Sequence, residues 1–170
     1  ALMGIDAGTS WVKVVAIDLE GHRIADRSVA YPTKTDGAGA EQDATLWWQA
    51  LRTALAAVIP GLDVLAVAVT SQAPTLVPVD AAGQPTGPAL TSLDRRAAGE
   101  PAGIAAPAPG SPHGAHPFFG TATLPCPAAH RAESPDPAAA VLPAPGFLVP
   151  RPSRASVLPD TPASPLPRFA

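Results

Sequence analysis

The chain has 170 residues, of which 46% are hydrophobic, 15% charged and 23 proline, with a formal net charge of −3. That length fits one ordinary domain able to bury a real core, and the weak negative charge gives no electrostatic case for nucleic acid or an anionic membrane. The single Cys126 excludes an intrachain disulfide and offers no zinc constellation. No apolar run approaches the roughly 18–20 residues of a membrane span, and no basic segment precedes an apolar one at the start, so no signal peptide is read and a cytoplasmic protein is expected.

Three strands are predicted first, at Leu2–Asp6, Trp11–Asp18 and Arg23–Tyr31, with Glu20-Gly21 turning between the second and third. The first strand delivers the Asp6 carboxylate to a Gly8-Thr9-Ser10 turn, and the second returns carrying Lys13. A glycine that lets backbone N–H groups approach phosphate oxygens, two hydroxyls, a lysine and a carboxylate able to hold Mg²⁺ or its water shell suit a nucleoside triphosphate. In isolation the same residues also describe an ordinary hairpin with a polar turn.

Asp43 is a good N-cap for a helix running to about Ile59, whose apolar positions Leu46/Trp47, Ala50/Leu51, Ala54/Leu55 and Val58/Ile59 recur at helical spacing before Pro60 ends it. Within Trp47-Trp48, one ring is expected to be buried and the other half-exposed. Val64–Thr70 is a short apolar run fit for a buried strand. Leu76–Val79 and Ala89–Leu93 then flank a turn at Ala82-Gly83.

Composition changes near residue 98. Six prolines lie in residues 1–100 and seventeen in residues 101–170, while every tryptophan and lysine lies in the first part. An interior proline costs a helix about 3 kcal/mol, so residues 99–170 read as a Pro/Ala-rich, irregular continuation. His113 and His116 have a metal-compatible spacing without a supporting carboxylate or cysteine pattern, and read as solvated loop residues. Cys126 has no basic neighbour in sequence and reads as an inert thiol.

Asp6-x-Gly8-Thr9-Ser10-x-x-Lys13 resembles the first phosphate loop of the FGGY carbohydrate kinases, members of the actin-like ATPase superfamily. Ala40-Glu41-Gln42-Asp43 with Trp47-Trp48 resembles that family's Glu-Gln-Asp-Pro…Trp-Trp helix start. Ser71-Gln72-Ala73-Pro74 is similar to its Ser-Gly-Gln loop, and Leu93-Asp94-Arg95-Arg96 to its Trp-x-Asp-x-Arg segment. Further on, Pro117–Ala122 and Ala139–Val149 carry fragments of the same likeness, with Thr161, Ala163 and Ser164 behind them. Between these islands, Pro125, Pro127, Pro150 and Pro152 stand where relatives usually have leucine, tryptophan or tyrosine, a pattern expected of a decayed gene or of errors in GC-rich sequence.

The resemblance implies an α/β fold, the N-terminal lobe of an actin-like (ribonuclease-H-like) kinase, with residues 1–98 its first part and 99–170 a degenerate or disordered continuation. It implies ATP-dependent phosphorylation of a sugar or polyol hydroxyl, a pentulose such as xylulose first, with ATP and Mg²⁺ as cofactors. Asp6 would organise the metal, Gly8, Thr9, Ser10 and Lys13 would meet the phosphates, and Gln72, Asp94 and Arg96 would shape the sugar side. The plainer readings are a solvated strand end for Lys13, loop polarity for Gln72 and a surface ion pair for Asp94 with Arg96. Ala73-Pro74 replaces a pair that is often polar in relatives, Ser71 replaces a glycine, and Ser92 a tryptophan. The family's catalytic aspartate and second lobe match nothing within these residues, and neither Asp136 nor Asp160 fits that motif. The chain alone is therefore expected to be inactive without a second lobe or partner chain. The alternative is a non-catalytic kinase remnant that binds no nucleotide.

Overall fold

The computed structural model describes residues 1–96 and 139–148. In chain order these form β1 (Leu2–Ala7), β2 (Trp11–Ile17), β3 (Arg23–Ala30), β4 (Lys34–Asp36), β5 (Gly39–Gln42), α1 (Ala44–Val58), β6 (Ala66–Ser71), β7 (Leu76–Val79), β8 (Ala89–Leu90), β9 (Ala140–Pro143) and α2 (Ala144–Leu148). They make one sheet ordered β3-β2-β1-β6 and a second ordered β4-β5-β8-β7-β9.

In the first sheet β1 and β2 pair antiparallel with Asp6 opposite Lys13 and Ile5 opposite Val14. On its other edge β1 pairs in parallel with β6, which places Thr70 beside Asp6. Alternation decides the two faces. Met3, Ile5, Ala7, Val12, Val14 and Ala16 are buried on the inner face, whereas Gly4 and Asp6 emerge on the outer one.

The inner face is covered by α1, which packs over β2 and β3. Asp43 caps this helix by accepting from the Thr45 N–H at 2.8 Å, and the helix buries Ala44, Trp47, Ala50, Leu51, Ala54 and Val58 along one stripe. Trp47 is buried, with Tyr31 tilted at 6.4 Å on one side and Phe147 of α2 edge-on at 6.1 Å on the other. Trp48 is half-buried, as the sequence suggests.

Three features differ from the sequence expectation. The strands β4 and β5 fall in a stretch without apolar alternation, where Gly37, in a left-handed conformation at φ 55°, turns the chain between them. The apolar run expected to be a buried strand is largely exposed, with Val67 54% exposed, because α1 does not extend over β6 and, among the described residues, β6 pairs only with β1. The last expected strand is also shorter, ending at Leu90.

Residues 140–148, within the proline-rich part, form β9 and α2, which return to the second sheet and the core. β9 pairs antiparallel with β7, and Ala144, Phe147 and Leu148 are buried. Among the described residues β9 is an edge strand, a place where proline is tolerated. The fragments at 117–122 and 161–164, the histidines His113 and His116, and Cys126 lie outside the described residues.

Candidate functional site

The ends of β1 and β6 point the same way, so the turn after β1 and the loop after β6 emerge side by side. The Gln72 N–H donates to the Ala7 carbonyl at 2.8 Å and holds the two together. Strand ends of this kind are where open α/β sheets place ligands.

The 8–10 turn is organised from its carbonyls. The Gly8 carbonyl accepts from the Tyr31 hydroxyl. Thr9 accepts from Gln42 Nε2 at 2.6 Å, and Ser10 accepts from the Tyr31 N–H at 3.1 Å. The Trp11 carbonyl accepts from the Gly8 N–H at 3.0 Å. The acceptors of four consecutive residues are thus occupied by protein donors. Among the described residues the N–H groups and hydroxyls of Thr9 and Ser10 have no hydrogen-bond partner. A turn whose carbonyls are satisfied by protein donors while the Thr9 and Ser10 donors stay open has the polarity that suits an anion.

Glycine at position 8 is not demanded by the turn itself, since a Cβ there would stand 3.5 Å from the Trp11 carbonyl, an ordinary contact. Burial of the Tyr31 hydroxyl, together with the nearby Asp6 charge, raises its pKa far above the usual phenol value. Tyr31 therefore remains a donor to Gly8 throughout the working pH range.

Beside the turn, the outer face of the first sheet forms a groove of about 280 Å³ lined by Asp6, Lys13 and Thr70 with Gly4, Val15 and Ala68 among its apolar members. Asp6 is exposed and Lys13 half-buried, and among the described residues neither enters an ion pair. A single accessible carboxylate next to open amide donors fits Mg²⁺, which keeps much of its water shell and takes its remaining ligands from phosphate oxygens. Among the described residues no three His, Cys, Asp or Glu side chains cluster to hold a metal by themselves.

Gln72 begins the loop after β6. Its Nε2 donates to Gln42 Oε1 at 2.8 Å, and its Oε1 is buried without a partner among the described residues. The next two residues, Ala73 and Pro74, are joined by a cis peptide and offer no side-chain hydrogen bond.

Asp94 and Arg96 meet each other. The Arg96 guanidinium reaches both Asp94 oxygens and, at 2.8 Å, Glu41 of β5. Asp94 also accepts from the Ala40 N–H at 3.0 Å. Burial would push the Asp94 carboxyl up, but the hydrogen bonds from Arg96 and Ala40 and the guanidinium charge outweigh it and hold the pKa below the usual value. This pair clamps the 91–96 segment onto β5, and a Cβ at Gly39 would meet the Arg96 side chain at 3.4 Å.

The predicted residues thus fall into two groups. Asp6, Gly8, Thr9, Ser10, Lys13 and Gln72 gather around the ends of β1 and β6, and Asp94 with Arg96 braces the second sheet. The supporting residues Tyr31, Thr33 and Gln42 are absent from the sequence-based set. Gln42 was visible only as part of a helix-start motif, and Tyr31 only as a strand end.

The family model described as the FGGY family of carbohydrate kinases, N-terminal domain, matches residues 1–113. The chain is similar to a xylulose kinase from Streptomyces rubiginosus, 35% identical over 98 residues, and to an erythritol kinase from Brucella abortus, 39% identical over 103 residues. Each alignment covers 57% of this chain and 20% of the relative, so the chain spans about a fifth of the length of these curated relatives. Among solved structures, a xylulose kinase from Rhodospirillum rubrum superposes with a TM-score of 0.77 at 20% identity, covering 85% of this chain and 33% of that one. The likeness to that structure speaks for the fold.

Proposed function

Because the chain belongs to the FGGY family of carbohydrate kinases, we propose that residues 6–13 hold the phosphates of Mg·ATP for transfer to a hydroxyl of a small sugar or polyol. The observation that carries this reading is the 8–10 turn, with its carbonyls occupied by protein donors and, among the described residues, the Thr9 and Ser10 donors open beside Asp6 and Lys13. Lys13 adds positive charge, and the Thr9 and Ser10 donors bind phosphate oxygens. Mg²⁺ held at Asp6 through its water shell would neutralise charge on the phosphates. In this kind of transfer the protein contributes positioning and electrostatic stabilisation more than covalent chemistry.

A pentulose such as xylulose is the first substrate class, supported by the xylulose kinase relatives, and a tetritol the second, supported by the erythritol kinase. Gln72, its Nε2 held by Gln42, stands in the loop on the sugar side, and Ala73-Pro74 leaves the adjoining position apolar. Asp94 and Arg96 shape the sugar side indirectly, by fixing the 91–96 segment. Residues 1–98 are the first part of the N-terminal lobe and 99–170 its continuation. The base that accepts the hydroxyl proton comes from a second lobe, supplied by further polypeptide or a partner chain, and these residues alone do not turn over sugar. The setting is cytoplasmic, and among the described residues no helix is long and apolar enough to cross a membrane.

Calorimetric titration with Mg·ATP tests the reading. Saturable binding that is weakened by Asp6→Ala and by Lys13→Ala supports it. Absence of binding, or affinity unchanged in both variants, overturns it in favour of a non-catalytic remnant.

A further inference from the structure

Gln42 is 2% exposed, and both ends of its amide are engaged. Its Nε2 donates to the Thr9 carbonyl and to Thr33 Oγ1, each at 2.6 Å. Its Oε1 accepts from Trp47 Nε1 at 2.9 Å and from Gln72 Nε2 at 2.8 Å. One side chain on β5 therefore touches both loops at the ends of β1 and β6.

The donor inventory fixes the direction of every bond. An indole N–H can only donate, so the Gln42 atom facing Trp47 is its oxygen. The Gln42 amide nitrogen must then face Thr9, whose carbonyl can only accept. Because Gln42 presents its oxygen to Gln72, Gln72 must answer with its NH₂ group. That leaves the Gln72 oxygen on the far side, a buried acceptor without a partner among the described residues. An orphaned buried acceptor is destabilising, a cost removed once a ligand hydroxyl reaches it.

We propose that Gln42 is a positioning residue that couples the phosphate turn to the substrate-side loop and, oriented by Trp47, sets Gln72 as an acceptor for a substrate hydroxyl. Movement of the Thr9 carbonyl when an anion binds the turn is felt at Gln42 Nε2 and passed through the same amide to Gln72. The coupling rests on the reading of residues 6–13 as a phosphate site, but the hydrogen-bond relay itself does not.

The test uses the ¹⁵N-labelled full chain and NMR, in two arms. Without ligand, Gln72→Ala is expected to shift the Thr9 and Ser10 backbone amides, and to shift them much less in a Gln42→Leu background. Equal shifts in the two backgrounds, or none in either, overturn the relay. Should Gln42→Leu fail to fold, Thr33→Val removes only one of the Gln42 acceptors; the relay predicts shifts of the Gln72 side-chain amide and the Trp47 indole N–H, and unchanged resonances overturn it. With Mg·ATP, the turn amides and the Gln72 side-chain amide are expected to move together in the unmodified chain, whereas only the turn moves in Gln42→Leu. A responding turn with a silent Gln72 overturns the coupling. A turn that does not respond to Mg·ATP defeats the phosphate reading instead, and the ligand-free arm still decides the relay.

Discussion

Asp6 and Lys13 are register partners across β1 and β2, with both side chains on the outer face of the sheet. Opposite charges so placed usually stabilise a pair of strands by a few tenths of a kcal/mol. Here, among the described residues, neither enters an ion pair. The carboxylate and the ammonium both line an open groove, each free of the other, as the proposed metal-phosphate complex requires.

Replacing either residue by alanine should therefore separate binding from folding. Asp6→Ala and Lys13→Ala are each expected to weaken Mg·ATP by about tenfold or more, or about 1.4 kcal/mol. Their urea midpoints should stay close to that of the unmodified chain, because neither side chain belongs to the core. Titration calorimetry and urea denaturation on the same preparations check both statements.

Tyr31 has the opposite balance. Its hydroxyl ties down the Gly8 carbonyl, and its ring packs against Trp47. Tyr31→Phe keeps the ring and removes the donor, leaving a carbonyl short of its partner at a cost of about 1–3 kcal/mol. Hydrogen exchange is the direct measurement, and the Gly8 amide, bonded to Trp11, should exchange faster in the variant.

Acid should reach the second sheet through Asp94. Its folded-state pKa lies below the ordinary 3.8, so its ionised form favours the folded state. That contribution is complete above the unfolded value of about 3.9 and disappears as pH falls through the lower folded one. The stability difference between the unmodified chain and Asp94→Asn should hold steady from neutral pH down to about 4 and shrink below it. Thermal melts at a series of pH values measure this.

At the start of α1, Asp43→Ala removes the side chain that accepts from the Thr45 N–H and hydroxyl. A loss of about 0.5–2 kcal/mol is expected, read from urea denaturation. Asp43→Asn should recover most of it.

Much of this architecture was legible because the patterns were strong. The inward residues of β1 and β2 alternate cleanly, and α1 has a helical stripe between an aspartate cap and a proline. β4 and β5 were hidden because Lys-Thr-Asp and Gly-Ala-Glu-Gln alternate nothing apolar and are short. β9 was obscured by composition, since its proline reads as a breaker, and only the family likeness at Ala139–Val149 marked the stretch. The exposure of β6 was illegible for a different reason, as an apolar strand does not state what covers it. At the candidate site, the Asp-Gly-Thr-Ser-Lys spacing named directly the residues that gather at the turn between β1 and β2. The groups behind them, Gln42 and Tyr31, depend on contacts 33 and 23 residues apart in sequence, which no local spacing carries.

The two edges of the first sheet are guarded unequally. β3 presents Arg23, Asp26 and Arg27 along its open side, whereas β6 presents Ala-Val-Ala-Val-Thr-Ser with no charge and no proline. Six uncharged residues of that composition, on an edge that among the described residues pairs with no further strand, are a template for cross-β stacking wherever that edge is left open. Concentrated solutions of this chain should therefore lose protein to fibrils that begin at β6. A lysine at position 67, where valine is 54% exposed, should act as a gatekeeper and keep the chain in solution.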